Sequence, residues 1–254
     1  MATNAGLKEL YEVWHKQGPS SWFSDGTNER TAIINSGIPW DGKRVLEIGC
    51  GEGDLAYAVS LLAKTVLGND YSLVAIKSAQ HKFGKGADKN FHFTTLDYRK
   101  MNQRFDRVVL MGVLEHFDQP WAELDWIARN LVVKGGDIIT SSPCFLNPRG
   151  IVWMTLATLF DAPMSLTDLH FLHPWEFEQF AKENDCVKSL AVSFTDRDWG
   201  YGEEMVADLR QRLPKVFPEM DKGKIARLVD WLERSSPFVY AAPGATAVYR
   251  LELK

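Results

Sequence analysis

Cysteine is scarce in this chain: Cys50, Cys144 and Cys186 are its 3 thiols, and no two share a ligand-like spacing. That excludes a disulfide framework and a cysteine-ligated zinc module, and it points to a reducing compartment, read here as the cytoplasm. Basic runs are absent. The 29 Lys and Arg face 33 Asp and Glu, for a formal net charge of −4 and a pI of about 5.9. A nucleic-acid partner is therefore not expected, because its footprint is a basic patch. Long apolar runs are lacking too. The opening MATNAGLKELYEVWHKQG has no signal-peptide core. The apolar stretch Ile151–Phe160 is too short to span a bilayer. No internal repeat or low-complexity tract is present.

What is present is a chain of 254 residues, 45% hydrophobic, long enough to bury a large core. One domain over 1–254 is the default. It would carry an N-terminal helical segment at 1–40 and insertions at 145–172 and 197–240. Residues 45–54 read VLEIGCGEGD. A buried strand at Arg44–Ile48 runs into a turn with Gly49, Gly51 and Gly53 on alternate positions, and a helix over Asp54–Ala63 follows. Such a turn lets a ligand approach bare backbone. A dinucleotide fingerprint needs its third glycine at the sixth position, which here is Asp54.

Strand and helix then alternate. Strands are predicted at Thr65–Asn69, Phe91–Thr95, Arg107–Met111 and Asp137–Ser141, with helices at Ser72–Lys82 and Pro120–Asn130. That alternation argues an α/β fold built on a doubly wound parallel sheet. Later strands are expected at Lys188–Phe194 and Ala245–Leu253, with helical periodicity over 200–236 between them. The 200–236 segment is either a helical hairpin padding the sheet edge or a cap over a substrate pocket. Ligands of such sheets sit beyond the carboxyl ends of the strands. Glu47, Asp70 and Asp97 all fall at strand ends. Asp70 is placed to accept hydrogen bonds from ribose hydroxyls. Asp97 is placed to accept from an adenine amino group, with Leu96 packing the ring.

The segments VLEIGCGEGDLA, LGNDYS, TLDYRKM, FDRVVLMGVLEHF and VVKGGDIITSSP occur in one order between 45 and 143. Together they resemble the class I S-adenosylmethionine (SAM) methyltransferases, over roughly 45–180. The resemblance implies a Rossmann-like seven-stranded sheet of order 3-2-1-4-5-7-6, its last strand antiparallel. It implies SAM held around Glu47, Gly49, Cys50, Gly51, Asp70, Tyr71, Leu96, Asp97 and Met111.

The acceptor side is less constrained. No Asn/Asp-Pro-Pro-Tyr/Phe tetrapeptide follows the fourth strand, which disfavours a base-amino methylating enzyme. Pro143-Cys144 matches the dipeptide of cytosine-methylating enzymes but follows the fifth strand. LEHF at 114–117 and DLHFLHPWEF at 168–177 resemble the small-molecule methyltransferases of the ubiquinone-biosynthesis type. Some of those relatives use a further Glu three residues before Glu115 to bind a metal. Gly112 stands there, so no metal is expected. His116 is a candidate general base or polar pocket wall, and His170 a second candidate base. His173 reads as a cap for the helix at Pro174. Tyr11, Trp14, Trp22 and Phe23 either pack as core or fold over the cofactor. The expected reaction is methyl transfer from SAM to a small molecule, chiefly at a hydroxyl oxygen, with a small amine as the alternative.

Overall fold

The computed structural model describes residues 26–36, 39–84, 89–162, 168–235 and 242–254. Residues 1–25 of the expected N-terminal helical segment, with the aromatics Tyr11, Trp14, Trp22 and Phe23, lie outside these residues.

Seven strands form one sheet in the order β3-β2-β1-β4-β5-β7-β6. They are β1 (Arg44–Ile48), β2 (Thr65–Asn69), β3 (Phe91–Thr94), β4 (Phe105–Met111), β5 (Val132–Pro143), β6 (Val187–Thr195) and β7 (Thr246–Leu253). The β1–β2, β1–β4, β2–β3 and β4–β5 pairs are parallel. β7 is antiparallel to β5: Gly135 N–H donates to the Lys254 carbonyl, and Cys144 N–H to that of Ala245. Strand order reverses at β1 and β4, the place where open sheets of this kind leave a crevice.

The helices are α1 (Thr27–Ile34), α2 (Asp54–Ser60), α3 (Leu73–Phe83), α4 (Pro120–Asn130), α5 (Pro148–Phe160), α6 (Pro174–Glu183), α7 (Arg197–Tyr201), α8 (Glu203–Val216) and α9 (Lys222–Ser235). Their ends follow local chemistry. Ser72 caps α3 by accepting from Ala75 N–H, and Asn147 caps α5 by accepting from Gly150 N–H. Pro stands at the start of α4, α5 and α6, where its missing N–H costs nothing. His173 is the N-cap residue of α6, and its own N–H donates to Glu176 Oε2 at 2.8 Å. No helix among the described residues is long and apolar enough to cross a membrane.

β5 is longer than its apolar run suggested. Gly135-Gly136, ahead of the strand start expected at Asp137, lies inside it. Phe105 pairs with Val132 but Arg107 with Asp137, so a bulge takes up the extra residues.

Packing divides the chain into two compact units. The first holds the described residues up to Ser142, 168–192 and 248–254. The second holds 143–162, 193–235 and 242–247. The first is built on the sheet, with Val45, Leu55, Val59, Val66, Ile76 and Val109 in its core. The second is helical. Trp153 of α5 packs with Tyr201, Met205, Leu209, Leu213, Ile225, Val229 and Leu232. Asp208 is buried at its centre, accepting from Arg149 Nε at 2.8 Å and from Trp153 Nε1 at 3.2 Å. The stretches 145–162 and 197–235, far apart in sequence, thus share one core.

Candidate active site

The site grows from the carboxyl ends of β1 to β4, all within the first unit. β1 ends in a turn that only glycine can make. Gly49 has φ +73°, and a Cβ there would stand 2.4 Å from Val113 Cγ2. Gly53 has φ +83°, and a Cβ would meet the Phe93 ring at 2.5 Å. The turn is thus left-handed and tightly covered at once.

Asn69 holds this turn. Its carbonyl accepts from Gly49 N–H at 2.8 Å and from Cys50 N–H at 2.9 Å. Its side-chain Nδ2 donates to the Leu96 carbonyl at 2.6 Å. One buried amide therefore ties the ends of β1, β2 and β3 together. Sequence reasoning passed over Asn69; its signal was a polar residue closing the apolar run TVLGN.

Asp70 is buried and faces the same turn. Its Oδ2 accepts from Gly51 N–H at 2.9 Å and its Oδ1 from Ser72 N–H at 2.8 Å. Each oxygen of a carboxylate can accept more than one hydrogen bond. Tyr71 and Leu96 are about half exposed, at 51% and 48%. They are apolar surface at two neighbouring strand ends, suited to a flat ring. Asp97 is exposed and caps the short 3-10 turn Tyr98–Lys100, its Oδ1 accepting from Arg99 N–H at 3.0 Å. Met111 ends β4 and is partly buried against the sheet core.

Glu47 and Cys50 are buried. Burial pushes the Glu47 carboxyl well above the usual carboxylate range, against a bond from Ala56 N–H that lowers it; the charges of Asp70 and Asp54 raise it further. Among the described residues, Glu47 Oε2 meets no hydrogen-bond partner. Glu47 thus ties the end of β1 to the Ala56 backbone in α2. Burial likewise pushes up the Cys50 thiol. Cys144 is buried too, and its thiol is raised by the same cause. A raised thiol is a poor nucleophile, so the cytosine-methylating chemistry has no support here.

The acceptor candidates follow β4. Leu114–His116 is a 3-10 turn, and the Glu115 carbonyl accepts from Leu169 N–H at 3.1 Å and from His170 N–H at 3.2 Å. This brings Asp168 to His116, with Oδ1 3.7 Å from Nδ1. His170 Nε2 lies 3.2 Å from the Asp118 carbonyl oxygen, a contact that requires the ring proton on Nε2. Sequence reasoning singled out both histidines and missed Asp168, the acid two residues before His170.

Among the described residues, Glu115, His116 and Asp168 form the one group with metal-ligand spacing, their ligand atoms within 4.8 Å of one another. Glu115 is buried, and desolvation, with the Asp168 charge second, raises its carboxyl well above the usual range. At Gly112 the space a Cβ would fill is bordered by Glu115 Oε1 and Glu29 Oε1, each 3.9 Å away.

A family model for a methyltransferase domain matches residues 29–186. A ubiquinone biosynthesis O-methyltransferase of Thiobacillus denitrificans is 35% identical over 161 residues, covering 61% of this chain and 68% of that protein. One of Alkalilimnicola ehrlichii is 29% identical over 154 residues, covering 58% and 62% respectively. This chain thus spans only 62% and 61% of the first two curated relatives it matches. The fold is that of a chain in the complex between the Haloferax volcanii Trm112 methyltransferase activator and a methyltransferase. The two superpose with a TM-score of 0.62 at 15% identity, over 97% of this chain and 96% of that one. The family model covers more than half of the chain, which belongs to the methyltransferase-domain family, whose cofactor is S-adenosylmethionine.

Proposed function

We propose that this protein moves the methyl group of SAM to a hydroxyl oxygen of a small, flat acceptor, and that a phenolic hydroxyl suits it best. The observation that carries the reading is His116, set beside Asp168 in the turn after β4. The O-methyltransferase relatives support it.

The cofactor half rests on the strand ends. Gly49 and Gly51 offer close backbone, Asp70 offers two carboxylate oxygens to the ribose, and Tyr71 and Leu96 flank the adenine, with Asp97 at its edge. Met111 and Gly112 lie at the methionine end. The sulfonium is already a good leaving group. Alignment of oxygen, methyl and sulfur therefore supplies much of the rate.

A hydroxyl attacks well only after losing its proton, and here the acceptor class can be narrowed. An ordinary imidazole titrates near pH 6.5 and a phenol near 10. A gap of that size is bridged within the transition state, whereas an alkanol is far more reluctant. His116 is the first candidate base and His170 the second. Neither is needed for a neutral amine.

The test offers methyl-deuterated SAM with a catechol, an alkanol and a primary amine, and reads products by mass spectrometry. Label on the catechol oxygen is the expected result; label on the amine alone would contradict the reading. His116→Ala should lower turnover by ~10²-fold or more on the catechol. If His170→Ala does so instead, the base assignment passes to His170.

A further inference from the structure

The Glu115–His116 turn and the 168–170 segment come from distant parts of the chain, yet the Glu115 carbonyl clamps them with two main-chain bonds. The clamp fixes Asp168 opposite one particular nitrogen of His116. Oδ1 lies 3.7 Å from Nδ1, and the two side chains are only 13% and 17% exposed. That separation is slightly longer than a hydrogen bond, and the contact becomes ionic only when the imidazole is protonated. Contacts of this sort tighten when the ligand arrives. Glu115, buried beside them, is held well above the usual carboxylate range.

We propose that Asp168 is the positioning residue for His116, holding the ring with its proton on Nδ1 so that Nε2 receives the acceptor's proton. This rests on the hydroxyl-acceptor reading above. A carboxylate on one imidazole nitrogen selects the tautomer, fixes the ring and stabilises the imidazolium that forms. The step balances. The hydroxyl proton moves to Nε2, and the oxygen's electron pair makes the new O–CH3 bond. The S–CH3 electron pair returns to sulfur, leaving the neutral thioether S-adenosylhomocysteine. His170 is not equivalent, because its Nε2 proton is committed to the Asp118 carbonyl.

The experiment is carried out on the full chain, with Asp168→Asn, Asp168→Glu and His116→Gln. Nitrogen-15 NMR reads the neutral imidazole tautomers, and His116→Gln identifies the His116 signal by its loss. The wild type should carry the His116 proton on Nδ1. With the catechol as acceptor, Asp168→Asn should lower kcat ~10- to 100-fold while KM and S-adenosylhomocysteine affinity stay within about twofold. Asp168→Glu should recover part of that loss. A wild-type His116 protonated on Nε2 would overturn the proposal, and so would an unchanged kcat in Asp168→Asn. A divalent cation that both shifts the His116 signal and is needed for turnover would overturn it too, making the group a metal site. The NMR result does not depend on the acceptor. A paired His116 in a protein that methylates only amines would count against the hydroxyl reading, not against the pairing.

Discussion

At the scale of single residues, the cofactor side turns on two buried acids with opposite tasks. Asp70 accepts from the backbone N–H groups of Gly51 and Ser72. Its carboxylate is also the expected contact to the ribose hydroxyls. Bonds to a charged group are worth about 1.5–3 kcal/mol each. Asp70→Ala should therefore weaken S-adenosylhomocysteine binding ~10²-fold or more by calorimetry. Circular dichroism checks that the fold survives the loss of the two backbone ties.

Glu47 does the reverse: it is buried, and desolvation raises its carboxyl well above the usual carboxylate range. Its folded pKa lies above its unfolded value, which is near 4.3. Below that pH both states hold the proton and burial of the acid has no ionisation penalty. As pH rises from there toward the raised folded pKa, the unfolded chain ionises first and stability falls. Glu47→Gln should remove this loss. Its melting temperature should match the wild type near pH 4 and exceed it increasingly toward pH 8. Parallel curves for the two proteins would contradict the assignment.

At the scale of elements, what was legible in the sequence depended on range. The glycine turn and the acids at strand ends could be read because each is a local pattern: apolar run, acid, glycine. Asp168 was not legible, because its meaning depends on His116, 52 residues earlier in the chain. Arg107 was read only as the first residue of a strand. In the fold it is fully buried, paired with Asp137 across β4 and β5 and stacked on Trp40 at 4.2 Å. The bulge at Gly135-Gly136 is what brings Asp137 into register with it. Asp137→Ala leaves the guanidinium buried and unpaired, and should cost about 3–5 kcal/mol in denaturant unfolding. The glycine turn is equally intolerant. Gly49→Ala should cost about 1–2 kcal/mol for the left-handed backbone, with the Val113 clash added to it.

At the scale of the whole molecule, the order of the seven strands followed from the family resemblance, and the alternation of strand and helix supported it. The second unit did not follow. Helical periodicity over 200–236 showed which faces were apolar, but not that α5 would supply Trp153 to cover them. Charge also acts at this scale. With a net charge of −4 and no basic run, the protein should not bind duplex DNA or RNA at physiological salt, as read by fluorescence anisotropy.

The ends of β1, β2 and β3 are expected to form a SAM site and not a dinucleotide site. Calorimetric titration of the full chain with S-adenosylhomocysteine and, separately, with NAD tests it most directly. The expected result is one saturable S-adenosylhomocysteine site, weakened by Asp70→Ala, and no heat of binding from NAD. Saturable NAD binding with none for S-adenosylhomocysteine would contradict it.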